Sequence, residues 1–259
     1  MVWRLFTYMK TVDICLPIYN EEKILEKNVL FLLDFLKKQN YPFSWKIVIL
    51  NNGSTDKSKE IGERLAEWGI KMENALRPGK GGAIKEYWMK SRADIACYMD
   101  IDLAVSLENI SDLLVPLVNE NCDMIIGSRL LYESKIDRSL IREISSQGYN
   151  LLSRLICDHK FSDLQCGFKA VRTDIFKKIA PFITDRKWFF DTELVIYAGK
   201  LGYKIKEVPV EWSENRYDKR KSKVNLFKDT LTFIINLLKL NRRMKKQGAG
   251  ADRLEIPNI

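Results

Sequence analysis

Ile95-Ala96-Cys97-Tyr98-Met99-Asp100-Ile101-Asp102-Leu103 is an apolar run that ends in two carboxylates one residue apart. Such a run bounded by acids predicts a buried strand, and side chains two apart on a continuing strand share a face. Asp100 and Asp102 are then delivered to one spot at the strand's carboxyl end. Hard cations such as Mg²⁺ and Mn²⁺ take oxygen ligands, often one or two carboxylates together with substrate phosphates. Taken alone, such a pair is more often a turn with two solvated acids, so its surroundings decide.

Upstream, Val12-Asp13-Ile14-Cys15-Leu16-Pro17 reads as a first strand ended by Pro17. Asn20-Glu21-Glu22 opens a helix in which Ile24, Leu25, Val29, Leu32, Leu33 and Leu36 keep a period near 3.6. Trp45–Leu50 is a second strand ending in Asn51-Asn52-Gly53-Ser54-Thr55-Asp56, a turn that also caps a helix over 57–68. Residues 69–75 form a short third strand, and Pro78-Gly79-Lys80-Gly81-Gly82 leads into a helix through Ser91. Beyond the acidic pair come a helix over 106–120 and the strand Cys122–Gly127, which runs into Ser128-Arg129. This alternation predicts an α/β fold with a mostly parallel sheet flanked by helices. Ligands of such sheets bind outside the carboxyl ends of the strands. Pro17-Asn20-Glu21, Asn51–Asp56, Asp100/Asp102 and Gly127-Ser128-Arg129 therefore converge on one rim.

The second half is less regular. A helix covers 139–157, and Ser162–Lys169 is a loop into a short strand and a short helix. Phe189-Phe190-Asp191-Thr192-Glu193-Leu194 opens a helix through Lys200, and Tyr203–Val210 alternates like an edge strand. In a last helix over 224–243, Val224, Phe227, Leu231, Ile234, Ile235 and Leu238 make one apolar stripe. Leu226, Phe233, Leu237 and Leu240 make a second stripe on nearly the opposite side. One stripe docks on a domain; the other needs core, a second subunit or a lipid interface. Arg242, Arg243, Lys245 and Lys246 follow, as suits an anionic membrane surface. The expected organisation is one domain over 1–223, an amphipathic basic helix over 224–246 and a disordered tail over 247–259.

Composition narrows the function. The 259 residues carry a net charge of +9, which favours an anionic partner. The five cysteines are odd in number with no close pairs, which reads as free thiols in a reducing compartment. With a single histidine, His159, in a polar patch, a structural zinc site is excluded and His159 is expected on the surface. No apolar run reaches the length of a bilayer span, so the chain is expected to be cytoplasmic and at most peripheral to the membrane's cytoplasmic face.

The motifs each carry two readings. Gly79-Lys80-Gly81-Gly82 lacks the spacing of a P-loop, and no dinucleotide fingerprint follows the first strand. Its glycines either let the backbone approach a ligand, with Lys80 as a cation, or are a permissive helix start. Asn51-Asn52-Gly53-Ser54 either bonds a base or ribose or is a turn and cap. Lys219-Arg220-Lys221-Ser222-Lys223 either clamps a pyrophosphate or is solvated. It lacks the interleaved aromatics of a single-strand nucleic-acid platform, so no nucleic-acid partner is expected.

With these residues in hand, the chain resembles family 2 glycosyltransferases of the GT-A fold over residues 11–240. Within them it is most similar to the dolichyl-phosphate glucosyltransferase and dolichyl-phosphate mannose synthase group. Pro17-Ile18-Tyr19-Asn20-Glu21, Asn51–Asp56, Arg77–Ala83, Asp100-Ile101-Asp102 and Gly127-Ser128-Arg129 match the group's motifs in order. Asp163-Leu164-Gln165-Cys166-Gly167-Phe168-Lys169 and Trp188-Phe189-Phe190-Asp191-Thr192-Glu193-Leu194 are similar to its glucosyltransferase branch.

The resemblance implies inverting transfer of a hexose from a nucleotide sugar, UDP-glucose first and GDP-mannose next, to a polyprenyl (dolichyl) phosphate. Pro17, Tyr19, Asn20, Glu21, Asn51, Asn52, Gly53, Lys80, Gly81 and Ile101 would line the nucleotide-sugar pocket, with Arg220 and Lys223 at the diphosphate. Asp100 and Asp102 would hold Mg²⁺ or Mn²⁺. Arg129, Arg142, Ser146 and Gln165 would bind the acceptor phosphate. Asp191 and Glu193 are base candidates if the acceptor is instead a sugar hydroxyl. Two positions depart from the pattern: Asn51 and Asn52 stand where the family has two aspartates, and Ala104 stands where mannose synthases can carry a third metal ligand. The alternatives are a glycosyltransferase acting on a hydroxyl, a nucleotidyltransferase, and an inactive nucleotide-sugar-binding protein at a membrane. The C-terminal helix could also join two copies of the chain.

Overall fold

Val12, Ile14, Leu16 and Ile18 alternate with Asp13 and Cys15, so strand β1 (Thr11–Ile18) buries both faces. There follow α1 (Leu25–Lys38), β2 (Ser44–Asn51), α2 (Ser58–Arg64), β3 (Lys71–Asn74), α3 (Lys80–Lys90), β4 (Ile95–Met99), α4 (Ile110–Val118) and β5 (Met124–Ser128). The second half contains β6 (Lys135–Asp137), α5 (Leu140–Cys157), β7 (Phe168–Arg172), α6 (Thr173–Ile179), α7 (Phe190–Lys200), β8 (Ile205–Pro209), β9 (Glu211–Ser213) and α8 (Leu226–Gly248). The computed structural model describes residues 9–137, 140–213 and 226–248, with side chains over 9–137, 146–213 and 232–246. Arg220, Lys223 and the basic run around them lie outside the described residues, as do Val224 and residues 249–259.

Seven strands make one sheet in the order β3-β2-β1-β4-β7-β5-β8. All neighbours are parallel except β7, which is antiparallel to both β4 and β5. The chain enters β7 at the rim, where the Gly167 carbonyl accepts a hydrogen bond from the Asp100 N–H, and so must run back down the sheet. The edge position expected for 203–210 is that of β8. A separate two-stranded ribbon pairs β6 with β9 and brings Trp212 beside Val105.

The β1–β4 ladder stops at Cys15 and Tyr98, while the β1–β2 ladder runs on to Ile18 and Asn51. The central strands therefore part at the rim, at the point where the strand order reverses, the usual ligand crevice of open α/β sheets. Pro17 cannot donate a ladder hydrogen bond, and it lies beyond the last β1–β4 pair. The strand continues one residue past it rather than ending there.

One sheet face packs against α1 and α4, the other against α3, α6, α7 and α8. On α8 the second stripe is the docked one: Leu237 and Leu240 are fully buried, and the Phe233 ring packs tilted against Tyr149 of α5, with centres 5.2 Å apart. The first stripe leaves Ile235 43% and Leu238 45% exposed, and Leu151 and Leu155 of α5 are exposed as well. Among the described residues no helix is long and apolar enough to cross a membrane. The five cysteines are buried free thiols.

His159 departs from its expected surface place. It is half-buried, with Nδ1 accepting from the Phe161 N–H and Nε2 lying 3.0 Å from Ser153 Oγ. Burial, then Arg154 and Lys200, lower its pKa to about 4.

Candidate active site

Ala96 and Tyr98 face the α3–α7 side of the sheet, and Asp100 continues that alternation past the end of β4. A tight turn then aims the second acid. Leu103 holds a left-handed φ of 50° although fully buried, its N–H bonds the Asp100 carbonyl, and the Ala104 N–H bonds Asp102 Oδ1 at 3.1 Å. A bulky residue in that conformation is strained. Ile101, between the acids, packs in the core, where its carbonyl accepts from Asn28 Nδ2 at 2.9 Å. The crowded surroundings of Asp102, and then the Asp100 charge, push its carboxyl up to about 6.

Asp100 has two close neighbours. Lys80 Nζ donates to Asp100 Oδ1 at 2.6 Å, and a Cβ added to Gly167 would fall 2.0 Å from Asp100 Oδ2. The Lys80 ammonium sits over two rings, 4.9 Å from the centre of Tyr98 and 5.2 Å from that of Trp188. Burial alone would lower its pKa, but Asp100, Asp191 and Asp102 raise it above the ordinary value.

The glycine loop packs closely on the segment before α7. The Gly81 and Gly82 N–H groups donate to the Lys187 and Arg186 carbonyls, and a Cβ at Gly81 would lie 2.2 Å from Phe190 Cβ. These glycines let α3 approach the 185–190 loop. Asn52 Oδ1 accepts from the Gly79 N–H and ties the second rim turn to this loop. Asn51 is engaged at both ends of its amide, Oδ1 by the Ser54 N–H at 3.0 Å and Nδ2 by Asn74 Oδ1 at 2.8 Å. Gly53 takes a φ of 77° in the turn between them.

The loop after β1 is knit to the same turn. Asn20 bonds Ser54 and Thr55, and the Glu21 N–H donates to Ser58 Oγ at 2.7 Å. Asn20 itself holds a φ of 54°, which asparagine tolerates better than most residues. Tyr19 is exposed on this loop and Pro17 is buried below it.

On the other side of the crevice, Arg129 forks onto Asp163, with Nε 2.7 Å from Oδ2 and Nη2 3.1 Å from Oδ1. Burial would raise the Asp163 carboxyl, but the Arg129 guanidinium holds it down to about 2. Gln165 donates through Nε2 to Thr192 Oγ1 at 2.6 Å, which also meets Tyr149 OH. Arg142 and Ser146 both lie on α5, Ser146 half-buried, and the side chain of Arg142 lies outside the described residues.

The two base candidates turn inward. Asp191 Oδ1 accepts from the buried Lys169 ammonium at 3.0 Å and from Tyr98 OH. Glu193 accepts from the Thr184 and Asp185 N–H groups at 2.6 and 2.8 Å and pairs with Arg243 of α8. Asp191 thus lies beneath the rim and Glu193 away from it.

Lys169, Asp163, Gly167 and Trp188 stand in the quoted motifs and Tyr98 in the opening run, but sequence alone assigns none of them a role. Lys169 in the apolar strand Phe168–Val171 carried a further signal, because a lysine on a buried strand requires a counter-ion.

Asp100 and Asp102 supply only hard oxygen, and the close approach at Gly167 leaves no room for a side chain on that flank of Asp100. Among the described residues no group of three or more His, Cys, Asp or Glu side chains could hold a metal. The donor set therefore fits a Mg²⁺- or Mn²⁺-type ion only when substrate oxygens and water complete the shell.

The family model described as "Glycosyl transferase family 2" matches residues 13–180. Glycosyltransferase AglD of Haloferax volcanii is 30% identical over 223 residues, covering 85% of this chain and 35% of that protein. A dolichyl-phosphate beta-glucosyltransferase of Trichomonas vaginalis is 32% identical over 222 residues, covering 81% of this chain and 68% of the relative. The chain thus spans about a third of the first of these relatives and about two thirds of the second. Among solved structures, glucosyl-3-phosphoglycerate synthase of Mycobacterium tuberculosis, in complex with Mn²⁺, UDP-glucose and glycerol 3-phosphate, superposes with a TM-score of 0.65 at 19% identity. It covers 90% of this chain and 80% of its own.

Proposed function

The chain belongs to glycosyl transferase family 2, and from that premise we propose that it transfers a hexose from a nucleotide sugar to a polyprenyl phosphate of the dolichyl type. UDP-glucose is the leading donor and GDP-mannose the second. The observation that carries this is the charge pattern of the crevice. The acids Asp100 and Asp102 share the rim with a cation, Arg129, that Asp163 orients and that feels the Asp100 charge, while Asp191 and Glu193 are tied down inside. Such a site suits a nucleophile that arrives already anionic.

A phosphate monoester is that nucleophile, since its second pKa is about 6. It attacks the anomeric carbon with inversion and needs little help from a base. Arg129, with Arg142, Ser146 and Gln165, would orient it, and guanidinium groups suit bidentate phosphate contact. Asp100 and Asp102 would hold the divalent cation, which when bound offsets charge on the departing nucleoside diphosphate. Lys80 adds a second cation on the same side. Tyr19, Asn20, Glu21 and the Asn52–Gly53 turn would line the end of the crevice where the nucleoside would lie, with Pro17 packed beneath them. Asn51 is reserved for the turn itself.

The exposed stripe of α8, followed by exposed Arg242, Lys245 and Lys246, would rest on an anionic lipid surface and present the crevice to a lipid-linked acceptor. The test is a panel of UDP- and GDP-sugars with polyprenyl phosphate and with free sugar acceptors, in Mg²⁺ or Mn²⁺. Hexosyl-phosphoryl-polyprenol is the expected product. Transfer to sugar hydroxyls alone would overturn the proposal.

A further inference from the structure

We propose that Lys80 makes divalent-cation binding at Asp100 conditional on a nucleoside diphosphate. This rests on the metal-assisted reading given above. The Lys80 ammonium lies 2.6 Å from Asp100 Oδ1, with its side chain only 11% exposed. The rings of Tyr98 and Trp188 hold it there from two other sides. It is therefore a fixed charge rather than a mobile surface lysine.

A divalent ion on the same carboxylate would share Asp100 with this ammonium. Like charges a few ångströms apart repel strongly in a partly desolvated crevice. Gly167 packs against Asp100 Oδ2, which limits how far the carboxylate can swing away from Lys80. The two acids, Asp100 and Asp102, then face three positive charges, and the bare site binds the ion weakly. A nucleoside diphosphate reverses the balance. Its oxygens can ligate the metal and accept from the ammonium at once, so both cations become attractive to it. Donor and metal thereby bind as one unit, and by linkage each strengthens the other equally.

The consequence has an unusual sign: removing the positive charge of Lys80 should strengthen metal binding to the bare protein. A residue that merely supports the fold, or that helps to hold the metal, would weaken it when changed. The experiment is a Mn²⁺ titration followed by the electron paramagnetic resonance of free Mn²⁺, with and without UDP, and with GDP in parallel. Wild type, Lys80→Met and Lys80→Arg are compared, with circular dichroism to establish folding. Without nucleotide, Lys80→Met should bind Mn²⁺ about tenfold more tightly than wild type, and the further gain from nucleotide should shrink by a similar factor. Lys80→Arg, which keeps the charge, should resemble wild type. Folded Lys80→Met with unchanged or weaker Mn²⁺ binding would overturn the proposal. Wild type that takes up no Mn²⁺ even with either nucleotide would overturn the metal-assisted reading itself, and this proposal with it.

Discussion

Lys169 Nζ and Asp191 Oδ1 meet 3.0 Å apart, with side chains 0% and 4% exposed. This contact joins the middle of the sheet to the first turn of α7 directly beneath the rim, and Tyr98 OH shares the same carboxylate oxygen. Breaking one partner of a buried pair strands the other charge, which is costly. Asp191→Asn should therefore destabilise the protein by about 3–5 kcal/mol in urea unfolding. Folded Asp191→Asn should keep the wild-type shape of its pH–rate profile with a polyprenyl phosphate acceptor. A variant of normal stability whose acidic limb is lost would identify Asp191 as a base instead.

Gly167→Ala tests the support of the metal-binding acid. The added methyl would stand 2.0 Å from Asp100 Oδ2, so Asp100 must turn or the β7 entrance must shift. A displacement of about 1 Å in a reacting group can cost on the order of 100-fold. Turnover at saturating donor and Mn²⁺ should fall by that order. Wild-type turnover would mean that Asp100 has freedom this packing denies it.

The Arg129–Asp163 fork makes a pH prediction. Asp163 titrates near 2 in the folded chain against an ordinary 3.8. The folded state therefore binds fewer protons than the unfolded state between those values. Its contribution is fully present above the ordinary value and is lost as pH falls through about 2. The difference amounts to about 2 kcal/mol. Asp163→Asn should be less stable than wild type at pH 6, with the gap closing toward pH 2. A gap independent of pH would show that the carboxylate charge is not what Arg129 stabilises.

On α8 the two apolar stripes should respond oppositely. Leu237→Ala removes fully buried volume and should cost about 2–5 kcal/mol of stability. Changing the exposed Ile235 and Leu238 together to Glu should leave stability within about 0.5 kcal/mol per site. Sedimentation with anionic liposomes should nevertheless fall sharply for that double variant. Unchanged liposome binding would place the lipid-facing surface elsewhere.

How much of this was legible in the sequence depends on the range of the interaction. β1, β2, β4 and β5 were legible because each is a nearly continuous apolar run ended by polar turn residues, and the rim follows from the ends of those runs. The direction of β7 was not, because a five-residue apolar strand carries no mark of its partner's orientation. The Lys169–Asp191 and Arg129–Asp163 pairs bridge 22 and 34 positions, and no local period encodes such partners. The close packing of Gly81 and Gly82 was hidden for the same reason: what they approach, the 185–190 loop, is a hundred residues away. The two stripes of α8 were legible by spacing, yet only packing against α5 and α7 decides which one is buried.

The most direct test of the central claim is hexosyl transfer to polyprenyl phosphate by wild type and Asp102→Ala, measured at saturating donor and Mn²⁺ and again after chelation. Asp102→Ala, folded as judged by circular dichroism, should lose at least about 100-fold in turnover, and chelation should stop the wild type reversibly. Transfer that persists at the wild-type rate in Asp102→Ala, or in wild type stripped of divalent cations, would contradict that claim.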